Sequence, residues 1–197
     1  MAVIIPQVVS EDRASGAQVI ESSLYFNPGT KGYLKRTPSS GGNQKTFTVS
    51  FWTKRGETGA YNEIINAATD NNNRSRIFFD SDDKLGFWST VSGTKHEDEI
   101  PPERFRDVSG WYHIVYSIDC ANTTATIYVN GESVYTFTAT NQNTLFNSTT
   151  AHYIGGLVYA DTYYYEGSLS QLYMIDGQAL DASYFGYTDE LTNTWRP

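Results

Sequence analysis

Residues 111–139 read WYHIVYSIDCANTTATIYVNGESVYTFTA. In the first part, Tyr112, Ile114, Tyr116 and Ile118 recur at every second position. That period puts them on one face of a half-buried β-strand. The run TATIYVNGESVYTFTA that follows spans 124–139 and folds back at Asn130-Gly131. Asn and Gly accept the positive φ angles of a tight hairpin turn, so the run predicts two antiparallel strands.

The same pattern extends outward in both directions. QKTFTVSFWTKR (44–55) sets Phe47, Val49 and Phe51 against Thr46, Thr48 and Ser50. SLYFN (23–27) and YLKRT (33–37) flank Pro28-Gly29, and AYNEIINAA (60–68) precedes the polar run TDNNN. RSRIFFD (74–80) and KLGFWST (84–90) stand either side of Ser81-Asp82-Asp83, a hairpin-like connection. AHYIGG (151–156), TYYYEG (162–167) and LSQLYMID (169–176) supply further strands, and QALDASYFG (178–186) holds the one short helical turn expected. The charged stretch GTKHEDEIPPERFRDVSG (93–110) and the polar NQNTLFNSTT (141–150) read as loops. Roughly ten to thirteen short strands at close spacing, with almost no helix, predict an all-β, two-sheet antiparallel sandwich.

Composition narrows the function. The chain of 197 residues suits one full domain. Its net charge of −8 disfavours nucleic acid and anionic lipid, which need clustered Lys and Arg. No apolar run reaches the length of a membrane span, so no membrane insertion is expected. The single cysteine, Cys120, excludes an intrachain disulfide, and no His or Asn constellation points to a catalytic thiol.

Residues 1–22, MAVIIPQVVSEDRASGAQVIES, contain no aromatic residue and are interrupted by Pro6 and Gly16. They read as an extended arm before a sandwich domain of 23–197. Two readings stand: a tail or strand belonging to the domain itself, or an arm that docks on a partner through Val3, Ile4, Ile5, Val8 and Val9. Solvated tails are usually more polar than this, which favours docking. The segment lacks the basic start and cleavage pattern of a signal peptide.

Three ordered runs resemble the concanavalin A-like lectin/laminin-G-like jelly-roll superfamily: SLYFN with YLKRTP and TFTVSFWTKR, then GWYHIVYSIDCANTTATIYVNGESV, then EGSLSQLYMIDGQAL. The resemblance implies a jelly-roll sandwich. More narrowly, YLKRTPSSGGNQKTFTVSFWTKR, AHYIGG and YMIDGQALDASYFG resemble lectin-like domains of tailed-bacteriophage structural proteins, and the leader resembles segments that precede some of them. That implies a non-enzymatic virion component, a capsid decoration protein or short fibre. It would be assembled in the bacterial cytoplasm, be homo-oligomeric and be anchored to other virion proteins. The alternative is a carbohydrate-binding module for host-surface glycans.

Enzymes of this superfamily carry paired carboxylates in an E-x-D-x-E strand, which is absent here. The closest run, Glu97-Asp98-Glu99, falls in the segment read as a solvated loop. His96, His113 and His152 are scattered without ligand spacing. Calcium is the metal the resemblance implies, yet Leu169, Ser170 and Gln171 stand where relatives often carry acids. Asp70 with Asn71 to Asn73, and Asp80 with Asp82 and Asp83, offer oxygens but also read as turn residues. A glycan needs an aromatic platform beside polar groups. The candidates are Trp88, Tyr159, Asp161, Tyr163, Tyr164 and Tyr165. In a strand, Tyr163 and Tyr165 would share one face and Tyr164 the other.

Overall fold

The structure, a computed structural model, describes residues 22–197. Val3, Ile4, Ile5, Val8 and Val9, the expected docking residues of the arm, lie outside the described residues. The strands are β1 (Leu24–Phe26), β2 (Leu34–Arg36), β3 (Thr46–Arg55), β4 (Asn62–Asp70), β5 (Asn73–Phe79), β6 (Leu85–Val91), β7 (Thr94–Glu99), β8 (Tyr112–Asp119), β9 (Thr124–Val129), β10 (Glu132–Phe137), β11 (His152–Ile154), β12 (Gly167–Asp176), β13 (Tyr187–Asp189) and β14 (Thr194–Arg196). They form two six-stranded sheets, ordered β1-β12-β3-β8-β9-β10 and β2-β11-β4-β5-β6-β7, with β13-β14 as a separate hairpin. Every described pairing is antiparallel, and the two large sheets pack as the expected jelly-roll sandwich.

Alternation sets the register. Phe47 lies opposite Ile118 and Phe51 opposite Ile114 across β3 and β8. From the second sheet, Ile77, Phe79, Leu85 and Phe87 face the same interior, and all eight side chains are fully buried. A one-residue slip would turn this set outward, so the core itself specifies the pairing. Asn130 (φ 48°) and Gly131 (φ 86°) form the β9–β10 turn with the positive angles the sequence predicts.

Two sequence expectations fail, each for a local reason. Residues 94–99 are not loop: they form β7, the outer strand of the second sheet. Glu97 occupies the inward position that an apolar residue would normally mark, and its carboxylate accepts from the Thr140 N–H at 2.7 Å. It is therefore a buried strand residue, not part of a solvated acidic loop. Tyr163, Tyr164 and Tyr165 are not strand either, since β12 starts at Gly167. Tyr163 has φ 58°, which breaks the pleat and with it the expected alternation.

The chain itself covers the outer face of the first sheet. Beyond β12, Thr48 Oγ1 donates to the Gln178 carbonyl and accepts from the Leu180 N–H, both at 2.8 Å. The short 3-10 turn Ala182–Tyr184 follows, in the run where the sequence predicted helix. Phe185 then stacks on Tyr173, and Trp195 lies beside His113. Trp195 Nε1 donates to His113 Nδ1 at 2.9 Å, so that ring nitrogen carries no proton. The proton sits on Nε2, which donates to Ser50 Oγ at 2.9 Å. Burial holds the His113 pKa down at about 4.

Candidate glycan-binding face

The outer face of the second sheet is built differently. Asn66, Arg76, Trp88 and Asp98 lie directly opposite one another across β4, β5, β6 and β7. The next row is Ala68, Arg74, Thr90 and Lys95. Arg74 and Arg76 share this face because they are two apart on β5, while Ile77 and Phe79 point to the core.

At one end Arg76 grips Glu63. Its Nε lies 3.1 and 3.0 Å from the two carboxylate oxygens, and its NH2 lies 2.7 Å from Oε2. Both residues are buried. Burial pushes the Glu63 carboxyl up, and Arg76 opposes that shift. The guanidinium also lies over Phe78, 4.6 Å from the ring centroid, and 5.6 Å from the Tyr163 centroid. Tyr61 stacks on Phe78 at 6.0 Å and meets Tyr163 at 5.0 Å. Phe78 lies flat against Gly86, where an added Cβ would fall 2.4 Å from the ring. Tyr61 and Tyr163 are each 39% exposed, forming a ledge beside the ion pair. The Tyr163 carbonyl accepts from Glu63 N–H at 2.8 Å, which holds the unfavourable φ in place.

At the other end stands Trp88, whose Nε1 donates to Thr90 Oγ1 at 2.7 Å. The charged groups of Arg74 and Lys95 each lie 5.1 Å from its ring. Arg74 NH1 donates to Asn71 Oδ1 and to the Tyr159 hydroxyl, both at 3.2 Å. Its Nε is buried and has no hydrogen-bond partner.

Trp88, Tyr159 and Tyr163 thus come together on one face, bridged by Arg74 and Arg76. Asp161 and Tyr164 belong to another cluster. Tyr164 donates to Asp161 Oδ1 at 2.9 Å, and Lys31 Nζ lies 2.6 Å from Oδ2. Lys31 and the Tyr164 hydroxyl hold Asp161 below the usual carboxylate range. Tyr165, contrary to expectation, takes no part in either: its side chain is fully buried, meets Phe26 edge-on and hydrogen-bonds Thr53, so it faces the core and presents no surface. Sequence reading did not single out Tyr61, Glu63, Arg74, Arg76 or Lys95. The R-S-R alternation at 74–76, before an apolar run, was the available signal for the two arginines.

The carboxylates considered for calcium are already engaged. Asp70 accepts from Asn72 N–H and the Asn73 amide, closing a turn. Asp80 Oδ1 accepts from the N–H groups of Asp82 and Lys84. Asp83 is bound by Arg55 and Arg106. Burial pushes the Cys120 thiol up to about 12, so it stays protonated at neutral pH.

Comparison with known proteins places this architecture. Solved structures with the same fold include the carbohydrate-binding domain CBM40 of a Ruminococcus gnavus IT-sialidase, bound to α2,3-sialyllactose. It is 15% identical with TM-score 0.59 and covers 77% of this chain and 95% of that one. A heptameric SAP-like pentraxin from Limulus polyphemus is 18% identical with TM-score 0.55, covering 77% and 72%. Mouse laminin α1 domains LG4-5 are 15% identical with TM-score 0.62, covering 85% and 45%. At these identities the likeness shows the fold alone. A search of curated proteins gives no match. Residues 28–183 match the family described as the concanavalin A-like lectin/glucanases superfamily, and the chain belongs to that family.

Proposed function

We propose that this chain is a non-catalytic glycan-recognition domain that binds an acidic sugar on the outer face of its second sheet. The carrying observation is Arg74, which keeps a buried, unpartnered Nε beside the Trp88 indole. A carboxylate satisfies such a guanidinium, and a sugar ring beside it packs on the aromatic surface. Lys95 lies over the same indole and is paired with Asp98 at 2.6 Å, which among the described residues leaves Arg74 as the cation without a carboxylate at this end of the face. The Ruminococcus domain, bound to a carboxylate-bearing sialylated sugar, supports the reading by analogy of fold. Binding of sialyllactose and of uronic-acid oligosaccharides, measured by calorimetry, tests it. Arg74→Ala and Trp88→Ala should each remove most of the affinity; undiminished binding in both would sink the reading.

For the setting, we infer a tailed-bacteriophage particle assembled in the bacterial cytoplasm. The domain would be displayed as a capsid decoration or short fibre, with residues 1–22 as the anchor. The support is the sequence resemblance of YLKRTPSSGGNQKTFTVSFWTKR, AHYIGG and YMIDGQALDASYFG. Virion sites are symmetric, so copies would assemble as homo-oligomers. Deleting residues 1–22 should leave a folded domain that no longer joins particles; retained incorporation would count against the anchor.

A further inference from the structure

Three of the chain's four tryptophans gather at a different place. Trp52 of β3, Trp111 just before β8 and Trp195 of β14 line a pocket of about 480 Å³. Asn130 and Glu132 of the β9–β10 hairpin and Asn193 of the C-terminal hairpin complete its polar rim. It lies on the side of the first sheet, remote from the basic face of the second. Its volume falls in the range of small-ligand sites.

The walls are fixed by packing. Trp195 lies on Gly131, where an added Cβ would fall 2.3 Å from the ring. Its Nε1 is held by His113 at 2.9 Å. Trp52 also packs on His113, 5.0 Å from its ring. Trp111 is 38% exposed and forms the open wall. Trp52 is 7% exposed, and its Nε1–H is buried with no acceptor. A buried indole N–H normally has one, so this orphan donor points to a partner the protein alone does not supply.

We propose that this pocket is a second binding site, for the ring of a neutral sugar. The lining chemistry selects the class. Among the described residues no Lys or Arg lines the pocket, while Glu132 does, so an anionic sugar would meet repulsion there. An alkylammonium group suits indoles and a carboxylate but brings no acceptor for Trp52 Nε1. Asn130 Oδ1 already accepts from His113 N–H at 2.9 Å, which leaves its amide N–H groups to donate. A neutral sugar supplies hydroxyl oxygens to both donors, hydroxyl protons to Glu132, and a C–H face to Trp111. The site stands independently of the acidic-sugar reading, since the two share no residue.

Saturation-transfer NMR on the full chain tests it. The probes are methyl α-glucoside, methyl β-galactoside, methyl α-mannoside, N-acetylglucosamine and choline. At least one of the four sugars should bind saturably in the millimolar range. Trp111→Ala and Glu132→Gln should each weaken that binding by about tenfold or more, whereas Arg74→Ala and Trp88→Ala should leave it unchanged. Glu132 is exposed on a hairpin, so Glu132→Gln keeps the test valid if Trp111→Ala fails to fold. The proposal is overturned if none of the four sugars binds, if choline alone binds, or if binding is lost in Trp88→Ala instead.

Discussion

The two outer faces of the sandwich handle burial in opposite ways. On the first sheet the C-terminal segment lies over the strands, and the titratable group beneath it, His113, is neutral with both ring nitrogens bonded. On the second sheet a charged pair, Glu63–Arg76, is buried instead, and further cations stand beside aromatic rings. The first face is covered for the most part by its own chain and leaves a neutral donor unpartnered, Trp52 Nε1, whereas the second leaves a cationic one, Arg74 Nε. A covered face with a neutral donor offers a ligand shape and a hydrogen bond; an open face with a guanidinium donor offers charge as well.

The contrast can be broken first at the ion pair. Glu63→Leu strands Arg76 in the interior and should cost about 3–5 kcal/mol in urea denaturation, with much of that regained in the Glu63→Leu/Arg76→Met double change. A small loss in the single variant would mean the pair is not effectively buried.

Acid tests the other face. His113 titrates at about 4 when folded, against an ordinary 6.5. Between those values the unfolded chain takes up a proton that the folded chain refuses. The contribution of His113 is therefore complete above about pH 6.5 and falls as pH drops, by about 3 kcal/mol at pH 4. His113→Gln should flatten that part of the stability–pH curve. Equal acid sensitivity in both proteins would show that Ser50, Trp52, Phe185 and Trp195 do not enclose a neutral ring.

Smaller effects separate binding from stability. Trp88→Ala and Arg74→Ala should shift unfolding by less than about 1 kcal/mol yet weaken acidic-sugar binding by at least about tenfold, or 1.4 kcal/mol. Smallest of all is Tyr163→Gly. It relieves a positive φ but loses the contact with Tyr61, so stability should stay within about 0.5 kcal/mol while acidic-sugar affinity falls.

Much of the fold was legible where the interior is filled by the expected residue types. β3, β8 and the Asn130-Gly131 hairpin alternate cleanly, and the structure has them where the pattern puts them. β7 was missed because a buried carboxylate, Glu97, holds the inward slot. The cover over the first sheet could not be read, because Trp195 meets His113 across 82 residues of sequence. In the candidate site the aromatics Trp88, Tyr159 and Tyr163 were visible as residue types. Tyr165 was misplaced because one positive φ at Tyr163 cancels the alternation that the reading assumed. The arginines that unite the face carry no motif beyond their spacing of two, which any half-buried strand shows.

That spacing has a consequence for how the domain can change over generations. On β5 and β6, Arg74 and Trp88 alternate with Ser75 and Phe87, so each of these outward positions can be exchanged without altering the residue behind it, while Arg76 is tied to buried Glu63. Single substitutions can therefore diversify what the face meets while the scaffold is inherited intact. An inserted or deleted residue in either strand exchanges the two sets and should be purged, so natural variants of this face should differ in letters and not in length.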